Sequence, residues 1–358
     1  MINRMLLCLA LFGLLGCTGA PPTAPATSDR DAHLVVAVQG ELSIKRQGWS
    51  TYAPALLGTV LHNGDLLRLD GAAQATVVCA DLSIASVPGG VGGVPCKVAR
   101  PVLVYDGSLV NPTRGIPSGD FPLVVTPRKT KLLNPQPTLR WTPIAGATSY
   151  QVSVRGQGVS WSAEVSSGTD TAYPADAPAL VAGATYKVVV AAGGRSSEEE
   201  TLPGLGFTLL KPDEAAAVRD AEAKIRALGL PDEPTFLLQG NLYVSQGLYA
   251  EAIEQYAAIS STSQEPAVQR SLGDVYLTLG LNRLAEASYL QALERSEQAN
   301  DVEGQALAQY ALGRIDEALG NVGEAARRLQ KTQDLYRQLG DEKTVKAIQS
   351  RLEGFSKP

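Results

Sequence analysis

Apolar positions change their period once along this chain, near Pro212. Before it they recur at every second residue, in short runs broken by Gly and Pro. Beyond it they recur every three to four residues, and Ala, Leu, Glu and Gln replace the punctuation. A period of 2 predicts strands with one buried face, and a period of 3.6 predicts amphipathic helices. The expected fold class is therefore multidomain, with two all-β parts followed by an all-α part. In the first β part, residues 33–118, Val36, Val38, Leu42 and Ile44 alternate around Gly40 and are expected on one face. Leu66, Leu67 and Leu69 follow a turn at Asn63-Gly64-Asp65, where Asp65 can cap the turn amides, and Ala75 to Cys79 forms a β-branched run. The second β part, residues 121–210, places Trp141, Tyr150, Val152 and Val188 on one apolar face, as the core of a sandwich requires. Those aromatics are read as core rather than as a sugar-binding platform, while Trp161 is less constrained. The run Arg195 to Glu200 reads as a solvated hairpin turn.

The helical part, residues 212–358, repeats itself. Gly240-Asn241-Leu242-Tyr243 is matched by Gly273-Asp274-Val275-Tyr276 and by Gly313-Arg314-Ile315-Asp316. An Ala follows each first Gly twelve residues on (Ala252, Ala285, Ala325), and Tyr256, Tyr289 and Leu329 follow four later. Gly247, Gly280 and Gly320 fall seven after the first Gly in every copy. This spacing resembles the tetratricopeptide repeat family, against the plainer alternative of a generic helical bundle. The resemblance implies antiparallel helix pairs packed closely at Gly273 and Ala285, with Tyr276 and Tyr289 between neighbouring hairpins and Gly280 ending a first helix. The copies lie 33 and then 40 residues apart, so the second hairpin is expected to have longer helices or a longer link. Asp316 departs from the aromatic usual at its position. A leading helix is expected over Pro212–Leu228 and a capping one over Lys343–Glu353.

The order Val38 to Arg46, then Leu61-His62-Asn63-Gly64-Asp65, then Ala73 to Leu82 resembles the FecR family over about 60 residues. The cytoplasmic sigma-factor-binding segment of that family's regulators has no counterpart here, so the signalling role does not carry over. Trp141, Tyr150 and the run Leu180-x-x-Gly183-x-x-Tyr186 before a strand resemble a fibronectin type III sandwich. That resemblance implies a corner in which the Tyr186 hydroxyl meets upstream backbone.

Arg4, an apolar run from Met5 to Gly16 and then Cys17 resemble a bacterial lipoprotein signal peptide. The run falls short of the roughly 20 residues a spanning helix needs. The resemblance implies removal of residues 1–16, lipidation of Cys17 and attachment through the Pro/Ala/Thr/Ser-rich linker 17–32; an ordinary cleaved signal is the alternative. Thr18 in place of Asp points to an outer-membrane anchor facing the periplasm. Of four cysteines, Cys8 lies in the signal and Cys17 takes the lipid. Cys79 and Cys96, 17 positions apart in an exported chain, are expected to form a disulfide, two free thiols being the alternative. The stretch Pro88 to Gly93 lacks the following helix and the Lys of a phosphate loop, and reads as a loop closed by that disulfide.

The net charge of -5, without a basic block, argues against nucleic acid as a partner. Neither His33 nor His62 sits in a metal-ligating or triad spacing, and the acidic residues of the helical part are read as exposed. No catalytic residue, metal or cofactor is expected. The candidate surface is the concave face of the repeat helices. By analogy with the tetratricopeptide family it carries Asn241, Val244, Ser245, Arg270, Asp274, Thr278, Tyr310, Arg314 and Glu317, suited to an extended peptide; the plain alternative is the wet side of a helix. The expected function is a lipid-anchored envelope adaptor binding a protein or peptide. An envelope sensor and a cell-wall glycan or peptidoglycan binder are the rivals.

Overall fold

The computed structural model describes residues 31–97, 101–103 and 121–355. The signal segment, Cys17 and nearly all of the linker lie outside them, as does most of the stretch leading to residue 118. An N-terminal β-rich region of several sheets precedes a C-terminal all-helical region.

The first β region holds β1 (His33–Gln39), β2 (Leu42–Lys45), β3 (Ala53–Pro54), β4 (Val60–Leu61), β5 (Leu66–Leu69), β6 (Gln74–Val78), β7 (Ile84–Ser86) and β8 (Gly90–Gly93). They form two four-stranded sheets, ordered β4-β1-β6-β7 and β3-β2-β5-β8. Val35, Leu42, Ile44, Leu61, Leu67 and Val77 fill the space between them. The expected single face for Val36, Val38, Leu42 and Ile44 is broken by a bulge. The β1–β6 register skips between Val35 and Ala37, so Val35 and Val38 face this core while Val36 turns outward. An extra residue in one strand reverses the side-chain parity beyond it, which alternation alone does not reveal. The glycine-rich stretch is not a loop either: Gly90–Gly93 is edge strand β8, paired with β5 from Leu66↔Gly93 to Leu69↔Gly90. Cys79 and Cys96 are joined by a disulfide with Cα atoms 5.6 Å apart.

The second β region holds β9 (Val124–Thr126), β10 (Thr130–Leu132), β11 (Thr138–Trp141), β12 (Tyr150–Gly156), β13 (Val159–Val165), β14 (Asp170–Ala172), β15 (Thr185–Ala192), β16 (Arg195–Ser196) and β17 (Phe207–Leu209). A three-stranded sheet β14-β11-β9 and a larger sheet β10-β17-β15-β12-β13, with β16 on β15, share one core. Trp141, Tyr150, Val152 and Val188 are buried in it, and Trp161 is half-buried with its ring edge-on to Tyr173 at 5.2 Å. The Tyr186 hydroxyl accepts the Val181 N–H at 2.8 Å, the corner contact expected. The run Arg195 to Glu200 departs from a solvated turn. Ser197 and Glu200 are buried, and Glu200 is ion-paired with Arg128, whose side chain is 1% exposed.

Among the described residues, eight helices follow: α1 (Pro212–Ala227), α2 (Asp232–Gln246), α3 (Tyr249–Ser260), α4 (Pro266–Thr278), α5 (Asn282–Gln298), α6 (Val302–Ala318), α7 (Val322–Leu339) and α8 (Glu342–Phe355). The three repeated segments become the pairs α2/α3, α4/α5 and α6/α7, with α1 and α8 at the ends. The wider second spacing is helix length, since α5 has 17 residues against 12 in α3. A Cβ on Gly240 would stand 2.2 Å from the Tyr256 ring, so only glycine lets α2 and α3 approach this closely. Tyr289 lies in the same way beneath Gly273 and also packs with Ala311, Leu312 and Ile315 of α6, between its own hairpin and the next, and half-buried Tyr276 packs against the same cluster. Asp316, in place of an aromatic, is buried and ion-paired with Arg328 of α7 at 2.8 Å. Among the described residues, no helix is long and apolar enough to cross a membrane.

A composite cavity on the concave face of the helices

The inner helices α2, α4 and α6 do not face open solvent along their length. The first β region is docked across them. Leu34, Val36, Val78, Ala80 and Leu82, on the outer face of its β1–β6 sheet, join one continuous apolar cluster with Leu238, Leu242 and Val275 of the helices. Gly58 sits in the contact at φ +83°, where an added Cβ would stand 2.5 Å from the Ala267 Cβ and 2.9 Å from Leu237 Cδ2. At the far end the Ser50 and Thr51 amides donate to the Leu339 carbonyl at 3.2 and 3.3 Å, with Trp49 and Ala53 packed on Leu339.

Charge holds the middle of the contact. Arg46, from the end of β2, gives Nε and Nη2 to the two oxygens of Glu303 on α6 at 2.8 and 3.0 Å. Its Nη1 reaches Asp65 at 2.6 Å and the Val60 carbonyl at 2.7 Å. Burial alone would lower the Arg46 pKa, but Glu303 and Asp65 more than offset it and hold the group charged. Asp65 also accepts the His62 amide at 2.8 Å, the turn cap the sequence suggested.

Between sheet and helices remains a cavity of about 570 Å³, within the size range of small-ligand and short-peptide pockets. Six of the nine residues singled out from sequence line it: Asn241, Val244 and Ser245 from α2, and Arg270, Asp274 and Thr278 from α4. Leu34, Val60 and Leu103 supply apolar wall from the β side; Asp301, Glu303 and Leu307 supply the α6 wall. Tyr310, Arg314 and Glu317 do not line it. Arg314 pairs with Glu317 at 3.5 Å, and Arg351 of α8 also binds Glu317. Two of the six have structural duties as well, because the Tyr256 and Tyr289 hydroxyls donate to Asn241 at 2.6 Å and Asp274 at 2.5 Å.

The disulfide reaches this wall through backbone. Ala80, beside Cys79, accepts the Val102 and Leu103 amides at 2.6 and 2.9 Å, and Leu103 in turn accepts the Ala32 amide at 3.3 Å. His33, Cys79 and Cys96 place potential ligand atoms within 4.8 Å of one another. Both sulfurs are spent on the disulfide, and His33 Nδ1 accepts the Ala80 amide at 3.0 Å. Burial lowers the His33 pKa, so the ring is neutral and its proton sits on Nε2. Neither ring nitrogen then offers a metal a free lone pair.

The acidic residues of the helices are not all solvated, contrary to the sequence reading. Asp301, the N-cap of α6, accepts the Gly304 amide at 2.8 Å; burial raises its pKa despite that bond and the charge of Arg270. Glu265, at the N-cap of α4, is raised to about 7 by burial and by Glu233 and Asp301. Glu251 of α3 is raised to about 7 by burial, although its carboxylate accepts the Leu133 amide at 2.6 Å where the second β region meets the helices.

Glu251 gives a signed pH effect. Its folded pKa lies above the ordinary 4.5, so its contribution is fully present below pH 4.5 and is lost as pH rises through about 7. A separation of that size corresponds to about 3 kcal/mol at most. Glu251→Gln keeps the acceptor for Leu133 and removes the ionisation. Its thermal midpoint should exceed the parent's at pH 8 and match it near pH 4.5. A variant less stable than the parent at both pH values would show that the carboxylate, not its burial, is what matters.

No protein-family model matches the chain, and no curated protein matches it.

Proposed function

We propose that this protein is a lipid-anchored, non-catalytic adaptor of the cell envelope that holds a short peptide segment of a protein partner in the composite cavity. In this reading the first β region is FecR-like, the second is a fibronectin type III-like sandwich, and the helices are tetratricopeptide-like hairpins. Cys17 carries the lipid, and the linker to residue 32 sets the distance from the outer membrane on its periplasmic side. The observation that carries the reading is the convergence of Asn241, Val244, Ser245, Arg270, Asp274 and Thr278 on one enclosed wall. The docked β region changes the ligand from an extended peptide to a short one, because it occupies the floor that a longer strand would follow.

A photo-crosslinker placed at Val244 or Thr278 should capture a partner from intact envelopes, and one at exposed Leu290 on α5 should not. Ser271→Trp, which fills the cavity from α4, should abolish the capture with the thermal midpoint held. Equal capture from Leu290, or capture that survives Ser271→Trp, would sink the reading.

A further inference from the structure

Strand β13 is the long open edge of the second β region. Among the described residues the other strands that end a sheet hold two to four residues each, and β13 holds seven. Its pairing with β12 runs unbroken from Gly156↔Val159 to Tyr150↔Val165, with no bulge and no proline. Bulges, prolines and inward charges are the usual protections of an edge, because a free row of amides and carbonyls invites another strand. The helices leave this edge open and pack at the opposite one, β10, where the Lys131 amide donates to the Gly247 carbonyl at 2.9 Å. Val159, Trp161, Ala163 and Val165 share the core-facing side of β13. Only Val159 is buried; the other three are half-buried, since among the described residues no strand flanks them on the outside. Ser160, Ser162 and Glu164 are exposed on the opposite face.

The strand is complementary to itself. An antiparallel copy turned about a two-fold axis through Ser162 sets each residue opposite one on the same face. Trp161 then meets the partner subunit's Ala163, a large ring beside a small side chain, and Val159 meets the partner subunit's Val165. On the outer face Glu164 meets the partner subunit's Ser160, so no like charges stand opposite each other. One strand further in, Arg155 lies across β12–β13 from Ser160; it is exposed, and its Glu198 contact is 3.8 Å long. The partner subunit's Glu164 reaches Arg155 over the short Ser160 side chain, which adds an opposite-charge pair at each end of the contact.

We infer that β13 pairs antiparallel with β13 of a second copy of this chain, joining the two larger sandwich sheets into one across a two-fold axis at Ser162. The inference concerns a face remote in sequence from the cavity and stands apart from the adaptor reading. The self-complementary register is what selects a second copy over an unrelated strand. A single strand pair is a small interface, so the dimer is weak and depends on concentration.

Ser162 faces its own copy, so a charge placed there faces itself. Sedimentation velocity of the full chain should show a dimer fraction that rises with concentration. Ser162→Lys and Ser162→Asp change a side chain exposed in the single copy, so the thermal midpoint should hold. Each should weaken dimerisation at least about tenfold. An equimolar mixture of the two variants should restore the dimer, because lysine then faces aspartate. Hydrogen exchange of the parent gives an independent reading: the β13 amides that point away from β12 should slow as concentration rises. A parent that stays monomeric, a dimer that survives both substitutions, or variants that do not rescue each other would overturn the inference. Outward β13 amides protected equally at every concentration would overturn it too, since another part of the same chain would then cover the edge.

Discussion

Arg128→Met should destabilise the protein by about 3–5 kcal/mol, the largest loss expected from a single side chain of the second β region. Arg128 lies between β9 and β10 and is 1% exposed. It gives Nη1 and Nη2 to the two oxygens of Glu200 at 3.0 and 2.5 Å, and Nη1 also reaches the Val124 carbonyl at 3.0 Å. Met fills a similar volume but leaves the Glu200 carboxylate inside the protein with no counter-charge. The cost is therefore that of a stranded ion, and it far exceeds the net worth of the intact pair. Arg128→Met with Glu200→Leu removes both charges and should recover most of the loss. Denaturant titration of the two variants beside the parent decides the matter. A single variant as stable as the parent, or a double variant no better than the single, would show that the pair does not carry the local stability.

That pair also marks the limit of what the sequence discloses. Arg195 to Glu200 contains three consecutive glutamates, and charge in a turn between strands is ordinarily solvated. The third is buried only because Arg128, 72 residues earlier, arrives at the same place. Asp316 is a similar case, since its departure from an aromatic is visible in the repeat but the compensating Arg328 is not. What local pattern does specify is legible. The change of period near Pro212 matches the change from strands to helices, and the wider second repeat becomes longer helices. Tyr186 finds the Val181 amide because both ends of that contact lie within one short turn. The bulge at Val36 was hidden because its signature is a partner strand, not a residue type.

The candidate site divides along the same line. Six of the cavity residues were named by analogy with the tetratricopeptide resemblance, and they meet because α2 and α4 fix which side chains share a face. The other half of the cavity comes from a β region more than 100 residues away in sequence, and no periodicity encodes that docking. Gly58 was no signal of it, because it sits at φ +83° in a turn closed by the Thr59 amide on the Leu56 carbonyl at 3.0 Å, which already explains a glycine there. Close backbone approach to Ala267 is a second reason, visible only in the structure. The disulfide belongs to this half too, for it holds the chain from which Val102 and Leu103 reach Ala80 and close the wall. A site built from two regions depends on their docking as much as on its own side chains.

Arg46→Met is expected to weaken that docking most. Arg46 bonds Glu303 through two nitrogens, Asp65 through a third contact and the Val60 carbonyl through a fourth, joining the first β region to α6. Removing it strands two carboxylates whose side chains are 15% and 4% exposed, for an expected loss of about 3–5 kcal/mol. The loss should also depend on pH. Arg46 faces Asp65 and His62 from the turn after β4, Glu303 and Asp301 from α6, and Tyr336 from α7. One step further out, Arg270 of α4 acts on Asp301, and Asp301 acts with Glu233 of α2 on Glu265 of α4. Without Arg46, Arg270 is the permanent cation left beside these five carboxylates among these described residues, so their repulsion grows as they ionise. Glu265, already raised to about 7, gives its stabilising contribution below that pH and loses it above. The gap in thermal midpoint between parent and variant should therefore be wider at pH 8 than at pH 5.5. Arg46→Met with Glu303→Met should narrow it at both, by removing the larger stranded charge. A gap independent of pH, or a double variant as unstable as the single, would mean that Arg46 acts by packing its stem rather than by balancing charge.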